Sequence, residues 1–206
     1  ELESPIKCFL PFNKESYIML GMKTGEIIIG EVKGENFMER LRIKVFDSEV
    51  NQLCEIDKNL IIATDINKKA KIIEMNEELK KYTVVKEIYF SNFTKIYKII
   101  SLPILSYFKN RHYFAVSADN LIQMYSSNKM PTYLDPPYIQ YHNYVEEYNI
   151  EQPSIINTDK KDKEDKKLDF DLVKKIKLIH PGENIIEMNE KYLAVAFPKT
   201  KKYETI

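Results

Sequence analysis

The residues able to do chemistry are few and scattered. The three histidines, His112, His142 and His180, have no cysteine or carboxylate at the spacing that grips zinc. They read as loop or surface imidazoles, and no metal site is expected. Cys8 and Cys54 each lie in an apolar run with no histidine nearby in sequence to draw off a thiol proton. Both read as small buried apolar side chains. Gly21, Gly25, Gly30 and Gly34 are evenly dispersed and precede no helix, so they form no phosphate-cradling loop. Gly25 instead suits a turn position of positive φ. Asn92-Phe93-Thr94 has the form of a glycosylation sequon, but no secretory signal precedes it. No catalytic residue and no cofactor-binding residue is expected.

One cluster has the chemistry of a contact surface. Between Met130 and Gln152 stand Pro131, Pro136 and Pro137, with Tyr133, Tyr138, Tyr141, Tyr144 and Tyr148 among them. Pro136-Pro137-Tyr138 lacks the extra residue of a Pro-Pro-x-Tyr ligand. Tyr133, Tyr138, Tyr141 and Tyr144 are the candidate partner-binding residues, because such rings could stack on a partner or be phosphorylated. The plainer reading packs them against the rest of the fold.

Composition narrows the function class. The 206 residues are 44% hydrophobic and 12% aromatic, which argues for a folded chain with a sizeable core. Lys+Arg and Asp+Glu both number 31. A neutral chain has no global field to draw it to nucleic acid or an anionic membrane. Two cysteines suit a reducing compartment better than a disulfide scaffold. No apolar run approaches a membrane span, and the first residues form no signal peptide. The expected location is intracellular, in the cytoplasm. The chain opens without Met and reads as a segment of a longer protein.

The elements that would position any surface are repeats. Tyr17-Ile-Met-Leu-Gly21, Leu60-Ile-Ile-Ala-Thr64, Tyr113-Phe-Ala-Val-Ser117 and Tyr192-Leu-Ala-Val-Ala196 are each four mainly apolar residues ending in a small one. They are expected to be equivalent inner strands. A second strand follows each across a polar turn: Glu26–Val32, Ala70–Met75, Leu121–Tyr125 and Tyr203–Ile206. Another precedes each: Ile6–Phe12, Val50–Ile56, Ile96–Leu102 and Ile185–Met188. Three strands in a row with tight connections make a meander. Fourth strands are expected at Leu41–Phe46, Tyr82–Phe90 and Phe170–Ile179, although Asn76–Lys86 also has helix-like composition. The fourth unit has no fourth strand. Lys160–Lys167 (KKDKEDKK) has no apolar residue, so Thr158–Lys167 is expected to be disordered.

Apolar strand, small residue, polar turn and apolar strand together resemble WD-repeat propellers. The best match is Ala115-Val-Ser-Ala-Asp-Asn-Leu-Ile-Gln-Met-Tyr125, where Asp119 stands at the family's turn Asp and Tyr125 near its aromatic. The Gly-His and Trp-Asp signatures are absent, so the buried network they form in that family cannot be present in full. The expected fold is all-β, a partial β-propeller of about three and a half four-stranded blades. Its units would span 6–49, 50–94, 95–182 and 183–206, with a long loop insertion at 130–167. The resemblance implies a non-catalytic interaction or scaffolding module. Its partners would be other proteins and the remaining blades of a parent chain. The alternative is a non-catalytic region of a multidomain enzyme, such as a protein kinase, whose active site lies outside this segment.

Overall fold

The computed structural model describes residues 4–12, 17–76, 78–109, 111–128, 168–178, 184–188 and 192–196. The insertion at 130–167 with its tyrosines, His142, His180 and the strand expected at Tyr203–Ile206 lie outside them. Among the described residues no helix is long and apolar enough to cross a membrane.

The described residues form three four-stranded antiparallel meanders and a two-stranded sheet. Sheet 1 is β1 (Ile6–Phe12), β2 (Tyr17–Met22), β3 (Glu26–Lys33) and β4 (Asn36–Lys44). Sheet 2 is β5 (Val50–Asp57), β6 (Leu60–Asp65), β7 (Lys69–Met75) and β8 (Tyr82–Tyr89). Sheet 3 is β9 (Ile96–Ser101), β10 (Tyr113–Ala118), β11 (Leu121–Ser127) and β12 (Phe170–Lys177), with helix α1 (Pro103–Lys109) between β9 and β10. Sheet 4 is β13 (Asn184–Glu187) and β14 (Leu193–Ala196). Each sheet pairs its strands in chain order, and successive sheets pack face to face. This is an all-β, partial β-propeller.

Strand β6 shows why its sequence is apolar throughout. Side chains alternate across a strand. Ile61 and Ala63 therefore enter the core shared with sheet 1, while Leu60 and Ile62 enter the core shared with sheet 3. Both faces are covered, and all six residues are buried. Fully burying an Ile or Leu is worth about 1.5–3 kcal/mol, so the stack rests mainly on such sandwiched strands. The segments expected to be equivalent do occupy equivalent places, as the second strand of each sheet. They are not the strands that meet at the inner end of the stack. There β1 packs on β5, β5 on β9, and β9 on β13. The β5–β9 contact is polar as well: Gln52 donates from Nε2 to the Tyr97 carbonyl at 2.8 Å and accepts the Ile99 N–H at 2.9 Å.

Two backbone ties recur in all three four-stranded sheets. The carbonyl just before the first strand accepts an N–H from the turn after the second: Lys23 to Pro5 at 2.9 Å, Ile66 to Glu49 at 3.2 Å, Asp119 to Lys95 at 3.3 Å. The residue just past the fourth strand donates into the same turn: Phe46 to Gly25 at 3.0 Å, Phe90 to Lys68 at 3.0 Å, Leu178 to Asn120 at 2.7 Å. Phe46 and Phe90 are buried, so each bond also seats an aromatic plug between sheets.

The expected strand Leu41–Phe46 begins earlier and ends sooner, at Asn36–Lys44, because Val45 and Phe46 leave the ladder to make that tie. Asn76 and residues 78–81 belong to a turn rather than the start of a helix: Asn76 Oδ1 accepts the Lys80 and Lys81 N–H groups, both at 2.8 Å. Lys174, Lys175 and Lys177 line an exposed edge strand.

Candidate functional site

Of the three histidines, only His112 is described, and it is not a surface imidazole. It is 5% exposed, just ahead of β10. Its Nε2 lies 3.6 Å from Asp57 Oδ2 at the end of β5, and its ring centroid is 6.4 Å from that of Phe170 on β12. Its backbone N–H donates to Ser127 Oγ at 2.9 Å. Nδ1 is buried without a hydrogen-bond partner among the described residues. Burial lowers the imidazole pKa, and the facing Asp57 carboxylate only partly offsets that. The pair pins the β5–β6 turn of sheet 2 to sheet 3. Among the described residues, no group of three or more His, Cys, Asp or Glu side chains could hold a metal.

Both cysteines lie on first strands, as expected, and both are free thiols. Burial pushes each thiol up to about 11, against weaker opposing hydrogen bonds. A thiol of that kind is a poor nucleophile near neutral pH. Tyr125 is part of the core between sheets 2 and 3. Its ring stacks on Phe114 with centroids 4.9 Å apart, and its O–H donates to Gln123 Oε1 at 2.7 Å. Burial pushes its phenol up to about 12.

Asp119 stands in the β10–β11 turn at φ 47°, where the sequence placed it. Asp65, at the end of β6, has a related task that the sequence did not single out. Its Oδ2 accepts the Ser48 hydroxyl at 2.7 Å and its Oδ1 accepts the Lys69 N–H at 2.8 Å. Ser48 and Thr94 each lie two residues before a first strand. That spacing was the available signal.

The face of sheet 1 turned away from sheet 2 carries a row of apolar side chains, some of them exposed. Strand register puts Ile6, Phe9, Leu20, Met22, Ile28, Val32 and Phe37 on it. Leu20, Met22 and Ile28 form a buried cluster flanked by Ile18 and Phe37. Around it Phe9 is 70% exposed, Val32 52% and Ile6 47%. Sheets 2 and 3 bury the corresponding face against a preceding sheet. Phe37 also lies over Gly30, where a Cβ would meet its Cζ at 2.4 Å.

The sequence matches no protein-family model and no curated protein. Among solved structures, the chain is similar to the β-propeller domain of Cps50 (Swd1) from Myceliophteria thermophila. The likeness covers 60% of this chain and 38% of that one, at 7% identity and a TM-score of 0.45. The chain thus spans well under half of that domain.

Proposed function

We propose that this chain is a protein–protein interaction and scaffolding module, a degenerate WD-like propeller segment that docks a partner on the open face of sheet 1. The observation that carries the reading is Phe9, a phenylalanine 70% exposed on an innermost strand, on the same sheet face as the exposed Ile6 and Val32. Apolar side chains gathered on one sheet face mark an interaction surface. The occupant is a β-sheet face presenting apolar residues, because the same face of sheets 2 and 3 is covered by a sheet. The remaining blades of a parent chain fit that description.

A photoreactive phenylalanine analogue placed at position 9 tests this in cells, with Lys58 in the exposed β5–β6 turn as the control position. A discrete cross-linked product from position 9 and none from position 58 is expected. No product at position 9, or the same smear from both, would remove the basis of the proposal.

A further inference from the structure

A groove of about 390 Å³ runs between sheets 3 and 4. That volume falls within the roughly 300–1,000 Å³ of small-molecule sites. Strand register builds one wall. Ile122 pairs with Ile176 and Met124 with Lys174 across β11 and β12, so these four side chains leave the same face of sheet 3. Leu193 and Val195, on one face of β14, supply the opposite wall. One cause of the space is local. In sheets 1 and 2 the residue that donates from just past the fourth strand is a phenylalanine, Phe46 or Phe90, and it joins the core at the next junction. In sheet 3 the same position is Leu178, a smaller side chain that lines the groove.

The charged groups at the groove differ in what they already hold. Glu187 turns both carboxylate oxygens to helix α1, accepting the Ile104 and Leu105 N–H groups at 2.9 and 2.8 Å. Lys174 stands exposed on the other wall, and among the described residues no hydrogen bond or ion pair engages its ammonium. Apolar walls beside one uncommitted point charge suit a ligand with an apolar body and a single negative charge.

We propose that the groove binds a small apolar carboxylate, with its hydrocarbon chain between sheets 3 and 4 and its head group on Lys174. Glu187 would repel a carboxylate placed beside it. The head group therefore keeps to the Lys174 rim, while the chain lies against Met124, Leu193 and Val195. The proposal does not depend on the docking role of sheet 1.

Decanoate titrated into the 206-residue chain and followed by methyl NMR tests it. The methyl signals of Met124, Ile176, Leu193 and Val195 should shift and saturate, and those of Leu20 and Ile28 on sheet 1 should not. Octanoate, shorter by two methylenes, should bind roughly tenfold more weakly. Lys174→Gln should weaken decanoate by about two- to fivefold, as befits an exposed charge, and leave decanol unaffected. Val195→Phe should fill the groove and abolish the saturable shifts; if that variant does not fold, Lys174→Gln decides alone. Shifts confined to sheet 1, no saturation, equal binding of octanoate and decanoate, or unchanged decanoate affinity in Lys174→Gln would each overturn the proposal. So would association with anionic vesicles without binding of monomeric decanoate, which would assign the chemistry to a membrane lipid.

Discussion

Thr94 and Asp119 are joined twice across the junction of β8, β9 and the β10–β11 turn. Thr94 donates its hydroxyl to Asp119 Oδ1 at 2.5 Å and its N–H to Oδ2 at 2.9 Å. The Lys95 N–H adds a third bond to Oδ1 at 3.2 Å. Burial alone would raise this carboxyl's pKa, but the bonds from Thr94 and Lys95 together lower it. Asp119 also sits at φ 47°, which Asp tolerates better than most residues.

Replacing Asp119 by Ala should therefore destabilise the chain by about 1–3 kcal/mol, from the lost bonds to Thr94 and Lys95. That corresponds to a loss of roughly 2–4 °C in Tm per kcal/mol at this chain length. Asp119→Asn keeps an acceptor and the turn geometry and should lose less. Because the folded pKa is lowered, the carboxylate's contribution is complete above the unfolded value near ~3.9 and is lost as pH falls through the folded one. Thermal melts of the two variants across that window check both statements. Equal stability of wild type and Asp119→Ala would show the junction to be ornamental.

Two glycines at positive φ should respond differently to Ala. At Gly25, φ 85°, a Cβ would lie 2.1 Å from the Phe46 carbonyl oxygen and 2.5 Å from that of Ser48. Both obstacles are backbone, so the tie that closes sheet 1 must break. At Gly34, φ 62°, nothing lies within 4 Å. Gly34→Ala should cost about 1–2 kcal/mol from conformation alone. Gly25→Ala should cost clearly more. Urea unfolding of both variants decides it, and a smaller loss at Gly25 would contradict the tie's importance.

These positions also show what was legible beforehand. The Gly25 turn, the matching second strands and the Asp119 turn could be read because each leaves a local mark: a small residue, a polar turn, alternating apolar residues. Helix α1 left none. Its seven residues are too short for a full amphipathic period, and its start is held from afar, by Glu187 accepting the Ile104 and Leu105 N–H groups at 2.9 and 2.8 Å. His112 likewise looked like a loop imidazole, because its burial depends on Asp57 and Phe170, which are remote in sequence. A strand's own pattern shows that a face is apolar, but its neighbours determine whether it is covered.

His112 should make stability fall on mild acidification. Burial lowers its folded pKa below the unfolded value near ~6.5, so the unfolded chain binds the extra proton first. Stability from this group is full above that value and declines as pH drops toward the folded pKa. Asp57 faces the imidazole and moderates the decline, and Ser127 and Phe170, which also contact the residue, carry no charge. Urea midpoints measured from pH 8 down to 5 should fall in wild type and fall less in His112→Gln. Parallel curves for the two proteins would mean that His112 does not titrate differently on folding.

Phe9 should govern self-association of the isolated chain. With Ile6 and Val32 it leaves an apolar rim around Leu20, Met22 and Ile28, and two such faces can bury each other when no partner is supplied. Sedimentation at several concentrations should therefore detect oligomers or loss of soluble material. Phe9→Glu removes the most exposed apolar side chain of that face and sets a charge in its place. Because Phe9 is 70% exposed, the substitution should leave the melting temperature nearly unchanged. It should weaken association by about tenfold or more, since burying a phenylalanine is worth about 1.5–3 kcal/mol and each ~1.4 kcal/mol is a factor of ten. A wild-type chain that stays monomeric throughout and unfolds cooperatively would mean that the open face of sheet 1 is tolerated by water as it stands. The docking role assigned to it would then have no support.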